Sequence, residues 1–155
     1  MILKADLHTH TFYSNRTQAV RWGKTIGSRL IDSRVKVEDL MKKASEKGLD
    51  VICVSDHDEV EGSLEAMGLA KKYGVTCIPG VEITTTMGHL LAYGITRKVP
   101  IKLGAIETVD LVHKMGGIVA AAHPFAIQGI FRKRRNSILR TDSSCYFGIL
   151  VGPAG

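Results

Sequence analysis

Apolar residues recur along this chain with two distinct periods. Val37, Leu40, Met41 and Ala44 stand at i, i+3, i+4 and i+7, and Ala66, Leu69, Ala70 and Tyr73 repeat that spacing. The interval matches the turn of an α-helix, so each set predicts a helix with one apolar face. A third stretch, from about Lys102 to Met115, carries Ala105, Val109 and Val112 on one side. Each stretch closes on a glycine (Gly48, Gly74 and Gly116), a residue that readily takes the positive φ that ends a helix.

Between the helical stretches lie short apolar runs rich in β-branched residues: ILKADL (2–7), DVICVS (50–55), VTCIPG (75–80), VEITTT (81–86), HLLAYGI (89–95) and GIVAAA (117–122). Their length and composition predict buried strands. Strands alternating with helices imply βαβ units, because a helix is the usual way to return a chain to the same end of a sheet. The expected fold class is α/β with a mainly parallel sheet. Residues 15–36 show no clean period and hold six basic residues and the only tryptophan. They read as a long loop leaving the first strand, either on the face where such folds keep their chemistry or as a surface insertion.

A length of 155 residues suits one domain, and 45% hydrophobic with 23% charged residues describes a globular chain. The longest apolar runs fall well short of the ~20 residues needed to cross a bilayer, so a cytoplasmic protein with no membrane partner is expected. Cys53, Cys77 and Cys145 are an odd count without CxxC spacing, which predicts buried reduced thiols rather than disulfides. The net charge of +6 is uneven: residues 125–155 carry Arg132, Lys133, Arg134, Arg135 and Arg140 against Asp142 alone. The expected division is a domain over 1–125 and a basic tail over 126–155. Clustered Lys and Arg attract nucleic-acid phosphates, but the run FRKRRNSILR (131–140) matches no binding motif and reads as a solvated tail.

The histidines change the picture. His8, His10, His57, His89 and His123 fall at or beside ends of predicted strands, and only His113 lies inside a predicted helix. Where strands run parallel, those ends gather at the edge of the sheet that holds α/β active sites. Glu82 adds a carboxylate seven residues before His89. Neutral imidazole and carboxylate together suit zinc, manganese or iron, and one glutamate can bridge two ions through its two oxygens. No Ser-His-Asp set and no GxxxxGK[ST] loop offers a competing chemistry.

HTHT (8–11), SDHDEV (55–60), PGVEIT (79–84) with GHLLAYG (88–94), and AAHPF (121–125) resemble, in order and spacing, the first motifs of the PHP (polymerase and histidinol phosphatase) family. That resemblance implies a distorted (β/α)7-type barrel, here partial and truncated at its C-terminal side. It implies two or three divalent ions: one held by His8, His10 and Glu82, a second reached by Glu82 and held by His89 and His123, and a third served by His57. It further implies hydrolysis of a phosphate ester by a metal-activated water, with Asp56, His57 and Glu82 carrying the chemistry and Asp56 steadying a ligating histidine. The substrate would be a small phosphorylated molecule or a nucleotide.

Two departures stand out. Relatives commonly place an aspartate in a YSDG-like turn after HTHT, serving the third ion, where this chain has Asn15. Relatives also continue past HPF to an Asp-x-His motif, which is absent here. A barrel lacking that wall exposes strand edges and an apolar face. Such a chain is expected to be a fragment, to associate with a second copy, or to be a non-catalytic metal-binding or scaffold module linked to nucleic-acid metabolism.

Overall fold

A computed structural model describes residues 2–18, 32–125, 129–130 and 149–150. In chain order the elements are β1 (Ala5–Thr9), α1 (Ser14–Gln18), α2 (Val37–Glu46), β2 (Val51–Val54), α3 (Glu61–Tyr73), β3 (Thr76–Thr84), β4 (His89–Tyr93), α4 (Ala105–Lys114), β5 (Ile118–Ala121) and β6 (Ile149–Leu150). The six strands form one sheet in sequence order. The result is an α/β half-barrel, the fold class expected from the strand and helix alternation.

The three long helices end where their glycines predict. Gly48, Gly74 and Gly116 all have positive φ, and Gly74 caps α3 in the left-handed conformation. Val37, Met41 and Ala44 of α2 pack with Ala66 of α3 against Ile52 and Val54 of β2. A second core joins Val81 and Ile83 of β3, Leu90 and Ala92 of β4, Val119 of β5 and Val112 of α4. In each core, strand residues pack against helix residues.

Three expectations need correction. The sheet is less uniformly parallel than expected, because β4 pairs antiparallel with both β3 and β5, and β6 pairs antiparallel with β5. The cause is the link Thr85–Gly88, which is too short for a crossover and forms a hairpin instead. Thr85 Oγ1 closes it, donating to Gly88 O at 2.6 Å and accepting from the Met87 and Gly88 amides at 3.1 Å each. Next, VTCIPG and VEITTT are one continuous strand, pairing with β2 through residues 76–79 and with β4 through 80–84. Gly80 is required there for close approach rather than for a turn: a Cβ would stand 2.5 Å from Cys53 Sγ and 2.9 Å from Ala92 O. Finally, the segment read as a loop from Asn15 begins with the short helix α1.

Most of the basic tail, including FRKRRNSILR, lies outside the described residues, but Ile149 and Leu150 add the sixth strand to the sheet. Among the described residues, β1 pairs only with β2, so its other edge is open. Leu3 and Leu7 on that side are 61% and 41% exposed, as expected for an unclosed barrel. No helix among the described residues is long and apolar enough to cross a membrane.

Candidate metal centre

Strand direction gathers the histidines. β1, β2, β3 and β5 run the same way, so His8, the turn carrying His57, Glu82 and the residue pair after β5 reach one edge of the sheet. His89 is the first residue of the reversed strand β4, and the reversal delivers it to that same edge opposite Thr84. A bulge in β1 aims His8 inward: Asp6 pairs with Ile52 and Thr9 with Val54, so Leu7 and His8 together stand opposite Cys53 alone. Bulges of this kind re-aim side chains beside functional sites.

Glu82 is the hub. Its side chain is 1% exposed, and its two oxygens face different histidines. Oε2 lies 3.0 Å from His8 Nε2 and 3.1 Å from His10 Nε2, while Oε1 lies 2.8 Å from His89 Nδ1 and 2.9 Å from His123 Nε2. His57 Nδ1 stands 3.7 Å from Oε2. Burial alone would raise the Glu82 pKa, but hydrogen bonds from His10, His8 and His89 and the charge of His57 hold it well below the usual carboxylate range. Burial pulls the His10 pKa down, yet the hydrogen bond and charge of Glu82 outweigh it and leave His10 above 6.5. His57 moves the other way, lowered chiefly by burial.

The donor set fits divalent transition metals. The Nε2 atoms of His8 and His10 are 3.0 Å apart, each 3.0–3.1 Å from Glu82 Oε2. Ligands ~2.0–2.1 Å from a tetrahedral ion stand ~3.3 Å from one another, so an ion enters this triangle with shifts of a few tenths of an ångström. His57, Glu82 and His89 form a second group with ligand atoms within 4.8 Å of one another, and His10, Asp32 and His57 form a third. The structure thus brings His8, His10, His57, Glu82, His89 and His123 together, whereas His113 lies on α4 and joins none of these groups.

Asp56 lies among amide and hydroxyl donors. It is fully buried and accepts from the Thr11 amide at 2.6 Å, Thr11 Oγ1 at 2.7 Å and Ser14 Oγ at 2.8 Å. Its link to a ligand candidate runs through Ser14 to His10, whose Nδ1 is 3.0 Å from Ser14 Oγ. Asn15 is not aimed at the histidines: its amide donates to Ser33 O at 2.5 Å and accepts from Asp32 N at 2.8 Å. That clamp holds Asp32, absent from the residues singled out in the sequence, with its carboxylate 3.2 Å from His10 Nδ1 and 3.9 Å from His57 Nε2. Asp32 is the only acidic residue in 15–36, a signal that was available. Asp58 was also missed; it takes φ +54° and ties the turn to β3 by accepting from Thr84 N at 2.6 Å and Thr84 Oγ1 at 2.7 Å.

The PHP domain profile matches residues 6–135. The chain belongs to the PHP family. An uncharacterized protein of Methanocaldococcus jannaschii is 33% identical over 124 residues, which cover 80% of this chain and 69% of that one. A second uncharacterized protein of the same organism is 25% identical over 138 residues, which are 89% of this chain but 44% of that relative. A 5'-3' exoribonuclease of Haemophilus influenzae is 32% identical over 85 residues, 55% of this chain and 25% of the relative. Among solved structures, a two-domain Bacteroides vulgatus protein described as containing a predicted PHP-like metal-dependent phosphoesterase superposes with a TM-score of 0.57 at 21% identity. The match covers 76% of this chain and 34% of that chain, and at that identity it speaks for the fold alone.

Proposed function

We propose that this PHP domain hydrolyses phosphate esters with divalent metal ions, zinc, manganese or iron, taking a small phosphorylated molecule or a nucleotide as substrate. The observation that carries the reading is the division of the Glu82 carboxylate, with His8 and His10 on Oε2 and His89 and His123 on Oε1. A carboxylate so placed serves two ions through its two oxygens. His57 and Asp32 form the start of a third site, with Asp32 supplying the carboxylate that Asn15 does not. When bound, such ions lower the pKa of a water and neutralise charge on the phosphoryl oxygens. The chain's part is to hold the ligands: Asp56 fixes Ser14 beside His10, and Asp58 fixes the end of β3 beside Glu82. The exoribonuclease relative, which by its name cleaves phosphodiesters, supports the phosphate-ester class.

The alternative reading is a metal-binding scaffold without turnover. The test assays the full chain, loaded with manganese or zinc, on p-nitrophenyl phosphate and its bis ester. Turnover abolished by a chelator and by Glu82→Gln supports hydrolysis. Full metal occupancy with no turnover above that of free metal overturns it in favour of the scaffold.

A further inference from the structure

Ser14 joins two candidate ligands to a buried carboxylate through one hydroxyl. Ser14 is fully buried at the start of α1. Its oxygen is 2.8 Å from Asp56 Oδ1, 3.0 Å from His10 Nδ1 and 3.2 Å from the His57 amide nitrogen. A hydroxyl has one proton and two lone pairs. Both Asp56 oxygens act as acceptors, from the Thr11 amide and Thr11 Oγ1, so the Ser14 proton is committed to Asp56, and the Ser14 lone pairs are left to accept from the His57 amide and from His10. The imidazole must then carry its proton on Nδ1. Asp32 Oδ2, 3.2 Å from the same Nδ1, is also an acceptor and demands the same tautomer.

From this we infer that Ser14 is a positioning residue that commits His10 to an ion through Nε2, alongside His8 and Glu82, and keeps it out of the group formed by His57 and Asp32. His10 could otherwise turn Nδ1 toward that third group, since its two nitrogens border both. With Nδ1 engaged, the lone pair of Nε2 points at the triangle with His8 Nε2 and Glu82 Oε2. A partner of this kind orients a ligating imidazole and raises its basicity, and its removal costs ~10–100-fold in metal affinity. The inference rests on metal being held at His8, His10 and Glu82, and not on any hydrolysis.

The control lies in the same network. Thr11 Oγ1 also donates to Asp56, at 2.7 Å, is equally buried, and accepts from the Tyr13 amide at 3.3 Å. Ser14→Ala and Thr11→Val each remove one buried hydrogen bond to Asp56, and only the first removes support from His10. Zinc affinity of the full chain is measured by competition with a chromophoric chelator, beside the thermal midpoint of each variant. Ser14→Ala is expected to bind the ion ~10–100-fold more weakly, whereas Thr11→Val stays within threefold of wild type. Equal affinity in Ser14→Ala and wild type, or an equal loss in both variants, would overturn the inference. Long-range 1H–15N spectra of the zinc-loaded wild type give an independent readout should Ser14→Ala not fold: His10 is expected to show a protonated Nδ1 and a metal-bound Nε2, and the reverse assignment refutes the role of Ser14. Wild-type protein that takes up no zinc would instead count against the metal reading itself.

Discussion

Two glycines on α3 make opposed predictions from the same chemical change. Gly62 and Gly68 are both helical, and replacing either with alanine gains ~0.5–1 kcal/mol of helix propensity. At Gly68, which is exposed, an added Cβ meets nothing within 4 Å. Gly68→Ala should therefore stabilise the protein by that amount, raising the thermal midpoint by about 1–4 °C at this chain length. At Gly62 the Cβ would stand 2.0 Å from Asp56 Oδ2 and 2.9 Å from Thr11 Oγ1, so the carboxylate must move. Overpacking costs ~1–3 kcal/mol, and each hydrogen bond lost to a buried charge adds ~1.5–3 kcal/mol. Set against the propensity gain, Gly62→Ala should destabilise by about 2–5 kcal/mol, lowering the midpoint by about 5–15 °C. Zinc affinity should fall with it, because Asp56 holds Ser14 and Ser14 holds His10. Thermal and urea melts of the two variants decide the matter. A Gly62→Ala protein as stable as Gly68→Ala would show that Asp56 is not locked as described, and the support argued for His10 would go with it.

Other outcomes follow from the titrating groups. In metal-free protein the raised His10 pKa contributes stability that is full below about pH 6.5 and is lost as pH rises through its folded value. The lowered His57 and Glu82 pKa values act only below 6.5 and 4.5, so chelator-treated protein should lose stability in urea melts between pH 6.5 and 8. Metal binding displaces protons, so zinc-loaded protein should gain stability over the same range; parallel slopes with and without zinc would contradict this. Burial pushes the Cys53 thiol up to about 12 and the Cys77 thiol to about 11, leaving almost no thiolate at pH 8. Neither should be alkylated by iodoacetamide in the native state and both should be after denaturation, as read by peptide mass spectrometry; rapid native labelling of Cys53 would show that β2 opens.

What could be read from the sequence was local. Helical spacing in 37–44 and 66–73, closed by Gly48 and Gly74, located α2 and α3, and the strand-end positions of the histidines located the edge where they meet. What could not be read depended on contacts distant in sequence. Pro79 and Gly80 look like a strand break, yet Gly80 is small because Cys53 Sγ and Ala92 O crowd it. The reversal of β4 was legible in the short gap between Thr84 and His89, but alternation with helices elsewhere masked it. Asp32 lies seventeen residues after Asn15, and only the fold sets its carboxylate beside His10 and His57. The β1 bulge that turns His8 inward leaves no mark on a period-two pattern three residues long.

The central claim is that Glu82 and the imidazoles around it hold shared cations. Metal content of the full chain, purified at neutral pH with manganese and zinc supplied and then desalted, tests it by elemental mass spectrometry. The account predicts at least two transition-metal ions per chain, falling to one or fewer in Glu82→Ala while Gly68→Ala keeps them. Wild-type protein carrying only traces of metal, or Glu82→Ala retaining the full complement, would contradict it.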